Sequence, residues 1–235
     1  MKIAITQPYF FPYLGYFQLI SHCDKFVFFD DVNFINRGWI NRNRILLNSE
    51  PHTFTVPLKK ASQNRLISEI ELSDFDQWKM SFKSKLNHAY GKAPFYRDTM
   101  DLVDEVLDSC PSTIADLSIE SITRTSDYIG LNPCFLRSSE EGSTTKQLKG
   151  ADRLLQICLN ENCQDYVNLE GGKELYSAEV FSSKDVRLHF STSKFEPYPQ
   201  VGTTDFVAGL SVIDVLMNNH RNDIKQMVQS GGLTS

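Results

Sequence analysis

Hydrophobic positions along this chain follow two rhythms. Short apolar runs at Ile3–Ile5, Phe26–Phe29 and Cys134–Leu136, the stretch Asp165–Leu169, and Val186–Phe190 with Val186, Leu188 and Phe190 inward predict strands. Between them, apolar residues recur every three or four positions. Leu14, Phe17, Leu19 and Ile20 predict one helix, and Trp78, Met80, Phe82, Leu86 and Tyr90 a second, capped by Ser73 or Asp74 and ended by Gly91 and Pro94. Further helices are expected over Phe95–Leu107, Thr113–Ile129 (stopped by Gly130), Ala151–Leu159, Lys173–Val180 and Val212–Met217. Thr53–Val56 and the alternating Ile67–Leu72 read as a small β-hairpin joined by a basic connector (Lys59, Lys60, Arg65). Residues from Gln229 to Ser235 should fray, and the polar stretch Ser138–Gly150 should order only when something binds.

Strands alternating with helices predict an α/β fold: a mainly parallel sheet with flanking helices, a hairpin insertion and a helical segment over 73–130, all in one domain spanning 1–235. Its first forty-odd residues form a strand–turn–helix–strand unit, whose crossover is almost always right-handed. Ligands of such units bind where the strands end on their carboxyl side. Two unusual stretches fall on that edge: Gln7–Tyr16, dense in proline and aromatic rings, and Asp30–Arg44, dense in Asp, Asn and Arg.

Composition narrows the function without naming it. A net charge of −5 and an isoelectric point near 5.6 argue against broad binding to nucleic acid. Apolar runs are far shorter than a membrane span needs, and Met1-Lys2 leads straight into a strand without a secretory leader, so a cytoplasmic protein with no membrane insertion is expected. The five cysteines are scattered and never spaced C-x-x-C, and the five histidines have no ligand spacing, so the expectation is reduced thiols and no metal.

Chemistry concentrates in four places. Gln7, Tyr9 and Tyr13 offer hydrogen-bonding groups on a proline-stiffened turn, and Gly15 lets a ligand or helix approach closely. Asp30 and Asp31 end a strand; alternation would turn at most one toward a cleft, and Asp31 is the candidate proton acceptor. The cluster Asn33, Arg37, Trp39, Asn41, Arg42 and Arg44 combines guanidinium forks for phosphate or carboxylate with an indole for stacking, and His52 beside it is a second acid–base candidate. Late in the chain, Thr144-Thr145-Lys146, Asp152-Arg153 and the turn Gly171-Gly172-Lys173 suit an anion, while Tyr198 and Gln200 lie in a proline-flanked loop able to close over a site.

Taken together, Gln7-Pro-Tyr-Phe-Phe-Pro-Tyr-Leu-Gly-Tyr-Phe-Gln-Leu-Ile20, Phe26-Val-Phe-Phe-Asp-Asp31 and Arg37-Gly-Trp-Ile-Asn-Arg-Asn-Arg44 resemble the opening of the WbqC-like protein family. The likeness continues through Ala151-Asp-Arg-Leu-Leu155, Gly171-Gly-Lys173, Tyr198-Pro-Gln200 and Leu210-Ser-Val-Ile-Asp214. It implies a role in bacterial O-antigen or surface-polysaccharide biosynthesis: attachment of an acyl or aminoacyl group, such as glycine, to an amino sugar. A more distant likeness is to the nucleotidyltransferase-like (Rossmann-like) fold. There an H-x-G-H motif holds ATP phosphates, whereas the matching positions here are Tyr13, Gly15 and Tyr16, with no histidine.

The leading expectation is an amide-forming acyl or aminoacyl transferase acting on a nucleotide-linked amino sugar. Arg37, Arg42, Arg44 and Trp39 would hold the nucleotide diphosphate, Asp31 or His52 would take the amine proton, and Gln7 and Tyr9 would position the acceptor or stabilise the oxyanion. An acyl donor is implied (acyl-CoA, acyl carrier protein or activated amino acid) and no other cofactor. ATP enters only in the alternative of an amino acid–sugar ligase. The other alternative is a non-catalytic sugar-nucleotide-binding subunit of an assembly complex, and a homodimer is compatible with any of these.

Overall fold

The computed structural model of this chain describes residues 1–140 and 145–234. These fold in the order β1 (Lys2–Thr6), α1 (Leu14–Ser21), β2 (Lys25–Phe28), β3 (Arg42–Leu47), β4 (Glu50–Thr55), α2 (Phe75–Tyr90), α3 (Tyr96–Leu107), α4 (Ile114–Ile129), β5 (Cys134–Arg137), α5 (Gly150–Asn160), β6 (Asp165–Leu169), α6 (Ala178–Ser182), β7 (Arg187–Thr192), α7 (Val212–Asn218), α8 (Arg221–Gln229) and β8 (Gly232–Thr234). Six strands form one sheet in the order β5-β2-β1-β6-β7-β8, parallel except for β8; β3 and β4 form a separate antiparallel hairpin.

Alternation along the central strands splits the core between the two faces of the sheet. Ala4, Phe26, Phe28 and Val167 join the cluster that takes in α1, α4, α7, α8 and the hairpin. Ile3, Ile5, Val27, Tyr166 and Leu188 join α5 and Phe181 of α6 on the other side. From β1 the chain steps to β2 and β5 in one direction, and β6 and β7 lie in the other. The strand order therefore reverses beside β1, and the crevice outside the carboxyl ends of β1 and β6 is where such sheets bind ligands.

Four expectations need correction. Ile67–Leu72 is not a strand: Ile67–Glu69 is a turn of 3-10 helix, and the two fully buried residues, Ile67 and Ile70, are three apart rather than two. The partner of β4 is instead the Asn/Arg segment, with Arg42 opposite Thr55 and Arg44 opposite Thr53. The Lys173–Val180 helix is broken into a 3-10 turn over Glu170–Leu175 and the short α6. The C-terminal residues are tied down, because α8 follows α7 and β8 then pairs with β7, Gly232 lying so close to the Thr192 side chain that a Cβ would collide with it. Asp74 does precede α2, but its side chain makes no capping bond, whereas Thr113 caps α4 in a capping box with Asp116. Thr144 and Ser235 lie outside the described residues.

Candidate functional site

The loop after β1 is fixed before it reaches the site. Phe11 holds a φ of +42°, which an aromatic residue adopts only when its surroundings enforce it. They do: the Ser121 hydroxyl accepts its N–H at 3.0 Å, and its carbonyl accepts the Asn43 amide at 2.6 Å and the Ser211 hydroxyl at 2.8 Å. Phe10 and Phe11 are wholly buried, and Phe10 meets Phe54, Trp78 and Phe82 edge-on or tilted. The phenylalanines of the motif are therefore core, and they present Tyr9, Pro12 and Tyr13 outward.

Those three residues, with Trp39, Asn43, Arg44, Phe195 and Gly209, line a cavity of about 280 Å³. The proline-aromatic turn and the arginine-asparagine segment thus form walls of one pocket, and the segment between β7 and α7 supplies a third. Tyr13 and Phe195 face each other with ring centroids 6.1 Å apart. Burial raises the hydroxyl pKa of both Tyr9 and Tyr13 above the usual phenol value, the bond from Tyr13 to Ser193 opposing it only in part. Both remain neutral hydrogen-bonding groups across the physiological range.

Arg44 carries the site's charge. One guanidinium nitrogen, Nη2, donates to the Gly209 carbonyl at 3.2 Å, and the group sits 5.6 Å from the centre of the Trp39 ring. Its Nε–H is buried and has no partner. Among the described residues no carboxylate lies within ion-pair distance of Arg44, and none lines the cavity. Arg44 is half-buried, and a buried N–H costs free energy unless it is used. Arg42 is spent differently: it also packs on Trp39, at 5.2 Å, but its Nε and Nη2 donate to the carbonyls of Gly38 and Arg37. Arg37 itself is exposed, with a φ of +60°. Of the three guanidinium groups expected to grip a ligand, only that of Arg44 lines the cavity.

The aspartates form a separate centre at the end of β2. The Asp30 N–H folds back onto the Phe28 carbonyl at 3.0 Å, a tight turn that ends strand alternation, so both carboxylates are buried and converge on Ser138 instead of diverging. Asp30 accepts Arg137 Nε at 2.9 Å and Nη2 at 2.8 Å, the Ser139 N–H at 3.0 Å and the Ser139 hydroxyl at 2.8 Å. Asp31 accepts Arg153 Nη2 at 2.6 Å and the Ser138 hydroxyl at 2.5 Å. Arg137 also reaches Asp116 at 3.0 Å. Asp31 is thus committed to an internal ion pair, and the role of proton acceptor does not suit it.

The remaining candidates are dispersed. The Gln7 carbonyl accepts the Tyr16 hydroxyl at 2.9 Å, and Gln7 does not line the cavity. The space beside Gly15 is taken by the Ser193 side chain and the Tyr13 ring, so its closeness serves the fold. Asn33 is exposed and bridges Leu66, and Asn41 closes the hairpin by donating to Val56 at 2.9 Å. His52 is exposed on β4, its Nε2 3.1 Å from Lys85. Gly171 is exposed, Gly172 packs beside Asn168, and Lys173 pairs with Glu170. Tyr198 and Gln200 point into the core, each 2.7 Å from Asp214. Sequence reasoning missed Phe195 and Gly209, which lie more than 150 residues from the walls they complete. It also missed Asp214, whose signal was a lone acid within the apolar run Leu210–Met217.

The motifs that build these walls extend into a match with a family description covering residues 7–226, nearly the whole chain. The chain belongs to the WbqC-like protein family. It is also similar to an uncharacterized protein of Mycobacterium tuberculosis strain H37Rv, Rv1507c, at 25% identity over 224 residues, which covers 92% of this chain and 93% of that protein. No solved structure matches. For this WbqC-like chain, no group of three or more His, Cys, Asp or Glu among the described residues is placed to hold a metal ion, and no helix is long and apolar enough to cross a membrane.

Proposed function

We propose that this WbqC-like protein is an amide-forming transferase that places an acyl or aminoacyl group on the amino group of a nucleotide-linked amino sugar, in the making of surface polysaccharide. The observation that carries the reading is the Arg44 guanidinium, without an acid partner among the described residues, lining a cavity walled by Tyr9, Tyr13, Trp39 and Phe195. Aromatic faces suit a sugar or base ring, and an uncompensated guanidinium suits a phosphate. At about 280 Å³ the cavity sits at the lower end of the range for small-molecule sites, so it admits one ring and its anionic substituent, with the rest of the ligand outside it.

With Asp31 engaged elsewhere, the proton needs another destination. In transfer from a thioester the amine nitrogen attacks the carbonyl carbon, the C–S bond breaks, and the departing thiolate takes the proton the amine loses. Amide and free thiol result, and no carboxylate is consumed. The Tyr9 hydroxyl, kept protonated, would donate to the oxygen that gains charge at the tetrahedral stage.

A second reading is favoured by the absence of any carboxylate or histidine among the described residues lining the cavity: a sugar-nucleotide-binding subunit without chemistry of its own. Incubating the protein with UDP-glucosamine and a panel of acyl-CoA and aminoacyl donors, followed by mass spectrometry, separates the two. An acylated sugar nucleotide supports the transferase. Saturable binding with no product under any donor supports the second reading, and no binding at all sinks both.

A further inference from the structure

The third wall of the cavity belongs to residues 193–211, the segment that joins β7 to α7 with no strand or helix of its own. It touches the cavity near its two ends, at Phe195 and Gly209. Its middle is held from behind. Tyr198 Oη and Gln200 Nε2 both donate to Asp214 Oδ2 at 2.7 Å, and Tyr90 Oη donates to Oδ1 at 2.8 Å. The Tyr90 hydroxyl in turn accepts the Leu46 N–H at 2.9 Å, two residues along β3 from Arg44. Gln200 also folds the segment on itself, donating to the Val207 carbonyl at 3.1 Å and accepting the Val207 N–H at 2.8 Å.

Asp214 is fully buried, and among the described residues no cation pairs with it. A carboxylate in that position is costly, and a stabilising role alone would be met more cheaply by an apolar side chain. What the carboxylate does that an apolar group cannot is fix three donors from two elements, the loose segment and α2, against the strand that carries Arg44. Loss of the two segment-side bonds would free Gly209, whose carbonyl orients the Arg44 guanidinium, and Phe195, which faces Tyr13.

We infer that Asp214 is a positioning residue: through Tyr198 and Gln200 it latches residues 195–209 as the wall that sets Arg44 and the aromatic rings for a ring-bearing anion. This rests on the reading of the cavity as a substrate site. The latch itself is tested without any ligand, in the full-length chain carrying Trp78→Phe, so that Trp39 is its single tryptophan. Tyr198→Phe combined with Gln200→Leu removes the segment-side donors and leaves the bond between Asp214 and Tyr90 in place. Asp214→Asn is the second variant, keeping volume and one acceptor.

Hydrogen exchange at Val201, whose N–H donates to Asn218 Oδ1 and not to either altered residue, should quicken about tenfold in the double variant, with a shift in Trp39 emission, while α2 and β3 exchange as before. The Kd for UDP-glucosamine should rise about tenfold, and Asp214→Asn should fall between wild type and the double variant. Unchanged exchange and unchanged Trp39 emission overturn the latch. A loosened segment with an unaltered Kd overturns the positioning role. If the parent protein does not bind UDP-glucosamine, the reading of the cavity fails separately, and exchange and emission still decide the latch.

Discussion

Two clusters of charge lie near the carboxyl edge of the same sheet, and they are finished to different degrees. Around Asp30 and Asp31 every carboxylate oxygen has a donor, and the guanidinium groups of Arg137 and Arg153 are paired with acids. Around Arg44 the cation has a carbonyl and an indole but, among the described residues, no acid; a buried Nε–H without a partner occurs in both places, on Arg153 as on Arg44, so the missing acid is the difference. Charge that is matched internally has been used to join elements: here β2, β5 and α5. Charge left unmatched beside a cavity is what a ligand would complete. The adjacent aspartates look the more catalytic in the sequence, yet the arginine is the more available.

The comparison breaks first if Asp31 is not structural. Asp31→Ala leaves Arg153 buried at 5% exposure without its partner, and should cost about 3–5 kcal/mol of folding stability. Urea denaturation followed by circular dichroism measures it. A variant of near-native stability with abolished activity would return Asp31 to the chemistry. Replacing Arg153 by Met together with Asp31 by Leu should recover much of the loss, since it removes both charges at once.

Arg44→Ala should do the reverse. Stability should change by less than about 1 kcal/mol, while binding of UDP-glucosamine should weaken by roughly 1.5–3 kcal/mol, the worth of a charge-assisted hydrogen bond, or at least tenfold. Titration calorimetry at two salt concentrations sharpens the point: the wild-type affinity should fall with salt, and the variant's should fall less. Equal loss of stability and binding would mean that Arg44 is another paired charge whose partner is the backbone alone.

Acid and base separate the paired carboxylates from the unpaired one. At Asp116 burial pulls the pKa upward, but bonds from Thr113, Ser112 and Arg137 outweigh it and hold the value below the ordinary one. Its contribution is therefore complete above the unfolded value of about 3.9 and is lost as the pH falls through the folded value. At Asp214 burial wins over the bonds from Tyr198, Gln200 and Tyr90, and the pKa is raised. There the folded state holds its proton longer, so stability declines as the pH rises from about 3.9 through the folded value. Denaturation midpoints across that window should show Asp116→Asn losing its advantage on the neutral side. Asp214→Asn should lose the decline, and curves unchanged by either substitution would contradict the assignment.

Much of this was legible in the residues. Short apolar or alternating runs gave the five parallel strands: β1 and β2, buried on both faces, need no polar alternation, whereas Val186-Arg-Leu-His-Phe190 alternates. The helix expected over Thr113–Ile129 is α4, whose start Thr113 and Asp116 cap. Two of the three cavity walls were legible because proline, aromatic and arginine residues are costly to gather without a use. What stayed hidden depended on partners remote in the chain. The alternation of Ile67, Glu69 and Glu71 with Ser68, Ile70 and Leu72 reads as a strand, and only docking against α4 buries Ile67 and Ile70 together at a three-residue spacing. Asp30 and Asp31 advertise chemistry until Arg137 and Arg153, more than a hundred residues on, are brought to them. Phe195 and Gly209 carry no local pattern at all.

The smallest expected effect concerns His52, the other acid–base candidate. It pairs across the hairpin with Ile45, and strand alternation places Ile45 and Arg44 on opposite faces of β3. Its ring nitrogen lies 3.1 Å from the Lys85 ammonium, which donates three hydrogens and accepts none, so Nε2 accepts there, on the face of the hairpin opposite Arg44. The pair is exposed, and exposed pairs contribute little. His52→Ala should therefore change stability by less than about 0.5 kcal/mol and leave both UDP-glucosamine affinity and any transfer rate at wild-type values. A drop in rate with affinity intact would place the reacting atoms on the His52 side of the hairpin, away from Arg44, and the contrast between a matched centre and an open one would have to admit a third.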